Sequence, residues 1–201
     1  MDKEELDSAL KHLANDPNIK SLIIKYNRPH FPLSDSPFKS LIKYIIYQQL
    51  SLSSAKAIYS RFLNLFDKNY KEKSIYKTPD SRFKEIGISK QKTNYIKSIS
   101  KYFIDHNIDF QKLNNRQIYD KLIEIRGIGP WTIDMFLMFT LYRTDILPIG
   151  DLGIKKGFKI LYGLNELPSD KFMLIKSKEW SPYKTIASMY IWKIVDEDVS
   201  F

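Results

Sequence analysis

Apolar residues recur along this chain at intervals of three and four, the spacing that lines one face of an α-helix. Ile118, Leu122, Ile123 and Ile125 follow it, and so do Ile133, Met135, Phe136, Phe139 and Thr140, while no stretch alternates as a half-buried strand does. Start signals precede many of these runs: Asp2 before Lys3-Glu4-Glu5, Asp16-Pro17, Ser36-Pro37, Thr78-Pro79 and Ser181-Pro182. A short polar side chain there caps free backbone N–H groups, and proline suits the first turn, where its missing N–H costs nothing. The pattern predicts helices over 3–14, 17–26, 37–49, 52–66, 79–85, 90–105, 115–125, 131–142, 151–162, 169–178 and 182–196. An all-α fold follows. The Lys-, Asn- and Tyr-rich section from Asp67 to Lys77 reads as an exposed connection, with turn-rich breaks at Leu113-Asn114-Asn115 and from Leu164 to Asp170. Nothing reads as a long interdomain linker or an internal repeat. Short helices joined by short loops predict one unit over 1–201 built from two helical lobes, approximately 37–144 and 1–36 with 145–201.

With 201 residues, 43% of them hydrophobic, the chain is long enough to bury a sizeable core. Its formal net charge of +9 and pI near 9.4 suit a polyanionic partner, although soluble basic proteins of many kinds share that balance. The absence of cysteine excludes a disulfide framework, a thiolate zinc site and a thiolate-held iron–sulfur cluster. His12, His30 and His106 stand at unrelated spacings and read as surface or packing residues rather than a metal or nucleophile site. The N-terminal Met1-Asp2-Lys3-Glu4-Glu5 is charged, and no apolar run reaches the length of a membrane span, so a soluble intracellular protein with no membrane partner is expected.

The most specific local pattern is Ile125-Arg126-Gly127-Ile128-Gly129-Pro130-Trp131-Thr132, two glycines one residue apart between two helical apolar runs. It predicts a helix-hairpin-helix motif. Gly127 and Gly129 would avoid the clashes of unusual backbone angles, Pro130 would stiffen the start of the second helix, and Thr132 would cap its first amides. Backbone N–H groups at such a turn can approach an anion closely, and a phosphate diester fits there. An ordinary turn between packed helices fits the same spacing. Downstream, Leu147-Pro148-Ile149-Gly150-Asp151-Leu152 places Asp151 after a turn and at the start of a helix, where it reads as an N-cap, a functional carboxylate, or both.

Together with Ser36-Pro37-Phe38, Ile45-Ile46-Tyr47-Gln48-Gln49-Leu50-Ser51, Trp180-Ser181-Pro182-Tyr183 and Ile191-Trp192, these segments resemble the helix-hairpin-helix DNA glycosylases whose Gly/Pro-rich loop ends in Asp. The resemblance is to the 3-methyladenine DNA glycosylase II branch and runs from about Pro37 onward. It implies a monofunctional DNA glycosylase of base excision repair. Such an enzyme flips alkylated purines of the 3-methyladenine and 7-methylguanine type out of duplex DNA, into a cleft between two lobes, and hydrolyses the N-glycosidic bond. A monomer acting on damaged duplex DNA in the cytoplasm, nucleoid or nucleus is implied, with no cofactor required. The cysteine-free sequence sets aside the iron–sulfur endonuclease III branch. Larger bacterial members carry an extra N-terminal β-rich domain, for which the residues before Pro37 leave no room, so a minimal version is expected.

The resemblance also assigns roles. Asp151 is the catalytic residue, facing an oxocarbenium-like sugar as an electrostatic stabiliser or as the base that orients water. Trp131 stands where bifunctional relatives carry a nucleophilic Lys, so no Schiff base is offered, and its indole face would stack on a cationic base. Trp192 would form a second wall of the base pocket, or else sit in the core on the stripe Ile186, Met189, Tyr190 and Ile194. Met135 would line the pocket where an aromatic is expected. The wedge that fills the gap left by the flipped nucleotide is Gln49, or Leu50 if the register slips by one; a plain helix end is the alternative. Gly127, Gly129 and Thr132 would hold DNA phosphate, and the carbonyls of Ile123, Ile125 and Gly127 a monovalent cation, Na or K. Lys155, Lys156 and Lys159 could touch the DNA backbone, or form a solvated basic face. Met135 and Gln49 keep open a glycosylase for oxidised or deaminated bases, and a non-enzymatic DNA-binding module with Asp151 as a mere cap is the rival of another class.

Overall fold

The computed structural model describes residues 3–31, 35–67 and 69–195. Among these the secondary structure is helical throughout: α1 (Lys3–Leu13), α2 (Pro17–Lys25), α3 (Pro37–Tyr47), α4 (Leu52–Phe66), α5 (Glu72–Lys77), α6 (Asp80–Glu85), α7 (Lys90–Asp105), α8 (Asn115–Leu122), α9 (Pro130–Phe139), α10 (Leu152–Leu161), α11 (Asp170–Lys176) and α12 (Lys184–Val195), with short 3-10 turns at Phe110–Lys112 and Lys178–Trp180. The start signals work as capping chemistry requires. Asp16 accepts from the amides of Asn18 and Ile19, Ser36 from Lys39, Ser89 from Lys92 and Asp151 from Ile154, with Pro17 and Pro37 in first turns.

The chain forms two compact units, a central one of Ser34–Phe136 and a terminal one of Met1–Leu33 with Leu137–Phe201. The division falls inside α9, between Phe136 and Leu137, rather than after residue 144. In the central unit α3 is the axis, with Leu41, Ile42, Ile45 and Ile46 fully buried and α4 and α7 packed on it. Phe62, Phe66, Tyr70 and Phe83 form an aromatic cluster beside it, with ring centroids 4.7 to 5.3 Å apart. The section from Asp67 to Lys77 is therefore not an exposed connection. Tyr70 is buried, and Glu72–Lys77 is a helix whose Ile75 is fully buried as α5 packs on α7. Its two core residues are too few to show a period.

In the terminal unit α10 lies along α12, and α2 also packs on α12. Trp180 is fully buried and donates its indole N–H to Asp16 Oδ2 at 2.7 Å, so one carboxylate caps α2 and satisfies the largest core side chain. Gly157 sets the closeness of α10 and α12: a Cβ there would stand 2.4 Å from Ile191 Cγ2 and 2.7 Å from the Ile191 carbonyl oxygen. Backbone cannot move aside as a flexible side chain can. The Gly157→Ala variant is expected to lose about 2 kcal/mol, a drop of roughly 4–8 °C in melting temperature for a chain of this size, by calorimetry.

Candidate functional site

The hairpin lies in the central unit. After α8 the chain turns tightly, Ile125 N–H bonding to the Leu122 carbonyl at 3.1 Å and Ile128 N–H to that of Ile125 at 3.0 Å. Gly127 takes φ +98°, and a Cβ on it would stand 2.1 Å from the Tyr95 ring of α7. Glycine is required there twice over, by the backbone angle and by the packing. Ile133 N–H closes the first bond of α9 on the Gly129 carbonyl at 3.1 Å, and nothing lies within 4 Å of a Cβ built on Gly129. The start of α9 is thus open on the Gly129 side, where the N–H groups of a helix's first turn face outward.

The loop before α10 lies in the terminal unit and is fixed by the buried Thr185. Its N–H donates to the Thr144 carbonyl at 2.8 Å, its hydroxyl donates to the Arg143 carbonyl at 2.6 Å, and that hydroxyl accepts from Ile146 N–H at 3.1 Å. From this anchor Leu147–Gly150 turns into Asp151. The Asp151 Oδ1 accepts from Ile154 N–H of α10 and from the Trp192 indole N–H of α12, each at 2.8 Å. Gly153 makes the second contact possible, since a Cβ there would crowd Asp151 Oδ1 at 3.0 Å and Trp192 Cδ1 at 3.0 Å. Two dipoles therefore converge on one oxygen of a carboxylate at a helix N-terminus.

Over residues 42–182 the chain matches the family model described as the HhH-GPD superfamily base excision DNA repair protein. The chain belongs to the HhH-GPD superfamily. DNA-3-methyladenine glycosylase 1 of Schizosaccharomyces pombe is 31% identical over 211 residues, covering 96% of this chain and 90% of that protein. The Saccharomyces cerevisiae DNA-3-methyladenine glycosylase is 30% identical, covering 98% and 73%. Among solved structures, the Schizosaccharomyces pombe 3-methyladenine DNA glycosylase in complex with abasic DNA matches with a TM-score of 0.86 at 31% identity, covering 92% of this chain and 95% of that one. The DNA-3-methyladenine glycosidase of Bacillus halodurans matches with 0.76 at 35%, covering 92% and 87%.

In this HhH-GPD chain several sequence-predicted residues have other surroundings than expected. Trp192 is 4% exposed, beside Phe139 and hydrogen-bonded to Asp151, so it holds the carboxylate instead of offering a stacking wall. Met135 is fully buried and presents no surface to a base, because the apolar face it shares with Ile133 and Phe136 is turned into the core. The Thr132 hydroxyl is buried and accepts from Gln48 Nε2 at 2.8 Å, so its side chain neither caps α9 nor meets phosphate. Gly129 keeps an ordinary φ; its value is open space, not conformational freedom. Lys155 pairs with Asp170 at 2.9 Å.

Other predicted residues are at least partly exposed or keep backbone acceptors at the hairpin. Trp131 is half-buried at the start of α9. Gln49, with φ +55°, and Leu50, 39% exposed, lie on the turn after α3, which ends at Tyr47 rather than Gln49. Of the three carbonyls expected to take a cation, that of Gly127 accepts from Gln48 Nε2 at 3.1 Å and that of Ile125 from Ile128 N–H. The chain's own donors thus serve two of them, and each oxygen keeps a second lone pair. Among the described residues no group of His, Asp or Glu side chains could hold a metal ion, and no helix is long and apolar enough to cross a membrane.

Sequence reasoning missed Gly153, Thr185 and Gln48. Only the first left a mark, as a glycine two residues into a helix and four before Gly157. The two hairpin glycines should separate in a melting experiment. The Gly127→Ala variant is expected to lose about 2 kcal/mol or more through its strained backbone and the Tyr95 clash, whereas Gly129→Ala should melt within about 1 kcal/mol of the parent.

Proposed function

We propose that this protein is a monofunctional DNA glycosylase of base excision repair that hydrolyses the N-glycosidic bond of alkylated purines, of the 3-methyladenine and 7-methylguanine type, with Asp151 as its catalytic residue. The observation that carries the reading is the Asp151 carboxylate, held at the N-terminus of α10 by the Ile154 amide and the Trp192 indole. A carboxylate that two rigid donors hold in place is preorganised, so its negative charge need not be oriented during the reaction. Departure of the base leaves positive charge on the sugar, and the Asp151 carboxylate stabilises it. Water supplies the oxygen that replaces the base at the sugar carbon.

Alkylation at ring nitrogen gives a purine positive charge, which makes it a good leaving group and a ligand for an electron-rich indole face. Trp131 supplies that face at the start of α9. It occupies the position of a nucleophilic Lys, so the reaction ends at base release without strand cleavage. Backbone amides at the Gly129 end of the hairpin hold a DNA phosphate, and the chain's net charge of +9 adds non-specific, salt-sensitive affinity for the duplex. Gln49, with Leu50 beside it, enters the space left by the extruded nucleotide. The hairpin carbonyls of Ile123, Ile125 and Gly127 have the neutral oxygen chemistry that suits a monovalent cation, and no step depends on one. The protein works as a monomer, wherever the cell keeps its DNA. The S. pombe relative named as a 3-methyladenine glycosylase, 31% identical over nearly the whole chain, supports this substrate class.

The test is chromatography of the bases released from methylated duplex DNA. The Asp151→Asn variant keeps an oxygen able to accept both N–H groups and loses only the charge. Base release should fall at least ~100-fold while duplex affinity stays within a few-fold; equal release would remove Asp151 from the chemistry, and release only of oxidised or deaminated bases would change the substrate class. Trp192→Phe, which removes one donor and keeps an aromatic ring, is expected to slow release by roughly 10-fold at saturating DNA, with little change in affinity.

A further inference from the structure

The turn that carries Gln49 and the hairpin that carries Gly129 are tied together within the central unit. Gln48 is the link, engaged through its backbone N–H, its backbone carbonyl and its side-chain amide N–H groups. Its backbone N–H donates to the Tyr44 carbonyl at 3.0 Å, and its side-chain Nε2 donates to the Gly127 carbonyl at 3.1 Å and to Thr132 Oγ1 at 2.8 Å. Its own carbonyl accepts from Lys92 Nζ at 2.7 Å, and the same ammonium donates to the Ile46 carbonyl at 2.8 Å. Lys92 thus closes the carbonyl end of α3, where the helix dipole favours a cation. Burial lowers the pKa of this amine, and the two carbonyls offset its lost hydration.

One turn along α7 from Lys92, the Tyr95 ring fills the space over Gly127. The first two turns of α7 therefore hold the end of α3 through Lys92 and the hairpin through Tyr95, while Gln48 joins the two directly. Beyond this bracket, Gln49 is exposed in a left-handed conformation, φ +55°, before Ser51 caps α4. A non-glycine residue holds such an angle only where its surroundings over-determine it. Gln48 and Lys92 are those surroundings on one side.

We propose that Gln48 and Lys92 are positioning residues for base extrusion, locking the Gln49–Leu50 turn in register with the Gly127–Gly129 hairpin so that phosphate capture holds the wedge against the duplex. The inference rests on the wedge and hairpin roles proposed above, and not on Asp151.

Its test is equilibrium binding of the full chain to two labelled duplexes of one sequence, one intact and one with a central tetrahydrofuran abasic-site analogue, by fluorescence anisotropy. The variants are Gln48→Met, which keeps the side chain's length without its donors, Lys92→Met, and Gln49→Ala as the wedge control. Gln48→Met and Lys92→Met should each lose about 10-fold of the preference for the abasic duplex, the scale of one lost hydrogen bond to a buried acceptor. Their affinity for the intact duplex should stay within about 2-fold, because the hairpin amides are untouched. A parallel fall on both duplexes would overturn the proposal, since the two residues would then only build the DNA-binding surface. Unchanged preference in both, with the preference lost in Gln49→Ala, would also overturn it while leaving the wedge standing. Unchanged preference in Gln49→Ala as well would remove the wedge and the proposal together. Lys92→Met reaches the turn from α7, so the test survives if Gln48→Met fails to fold.

Discussion

The close contact of α10 and α12 is the constraint on which the candidate chemistry depends. Gly157 lets the two backbones approach at Ile191, and Gly153, one turn earlier, leaves room for the Trp192 indole to reach the Asp151 carboxylate. An indole offers a single donor at a fixed place on a rigid plane, so it must be delivered by the helix that carries it. Two missing side chains on α10 make that delivery possible. The cap that any aspartate could supply at a helix start becomes a carboxylate fixed from two directions, which is what a site needs if its charge must already be in place when the sugar becomes cationic.

The central unit solves a related problem with a different device. A hairpin proposed to hold phosphate must leave its amides outward, and a turn proposed to enter a duplex must leave its side chains exposed; neither can be stabilised on that face. Both are held from behind. Tyr95 packs on Gly127, Gln48 bonds Gly127 and Thr132, and Lys92 fastens the end of α3. The cost of an exposed left-handed Gln49 and of a partly buried ammonium is carried by those hydrogen bonds. Hydrogen-bonded polar residues thus support, from behind, surfaces left open to DNA.

Membership of the HhH-GPD superfamily and the all-helical fold were legible because they rest on local signals. Helix starts are short-range chemistry: Asp16, Ser36, Ser89 and Asp151 cap within three residues, and the Gly127-Ile128-Gly129-Pro130 turn is spelled out in adjacent positions. Asp151 stood out for the same reason, in a turn that ends in a capping carboxylate. The α5 helix did not, since its burial depends on a neighbour, α7, that meets it only in the folded chain. Met135 and Thr132, given a pocket and a phosphate role by the resemblance, lie in the core instead, since α9 buries both.

What the sequence determined by itself, then, was where helices begin, that a glycine turn separates α8 from α9, and which carboxylate follows the Pro148 turn, all set by interactions within a few residues. Only the tertiary structure decided that Trp192 holds Asp151, that Gln48 reaches a hairpin 79 positions away, and that Gly127 is needed for Tyr95 as much as for its own backbone angle. Those are contacts between elements distant in the chain. Their partners are chosen by packing, which assigns each polar atom a neighbour only once the apolar faces have found theirs.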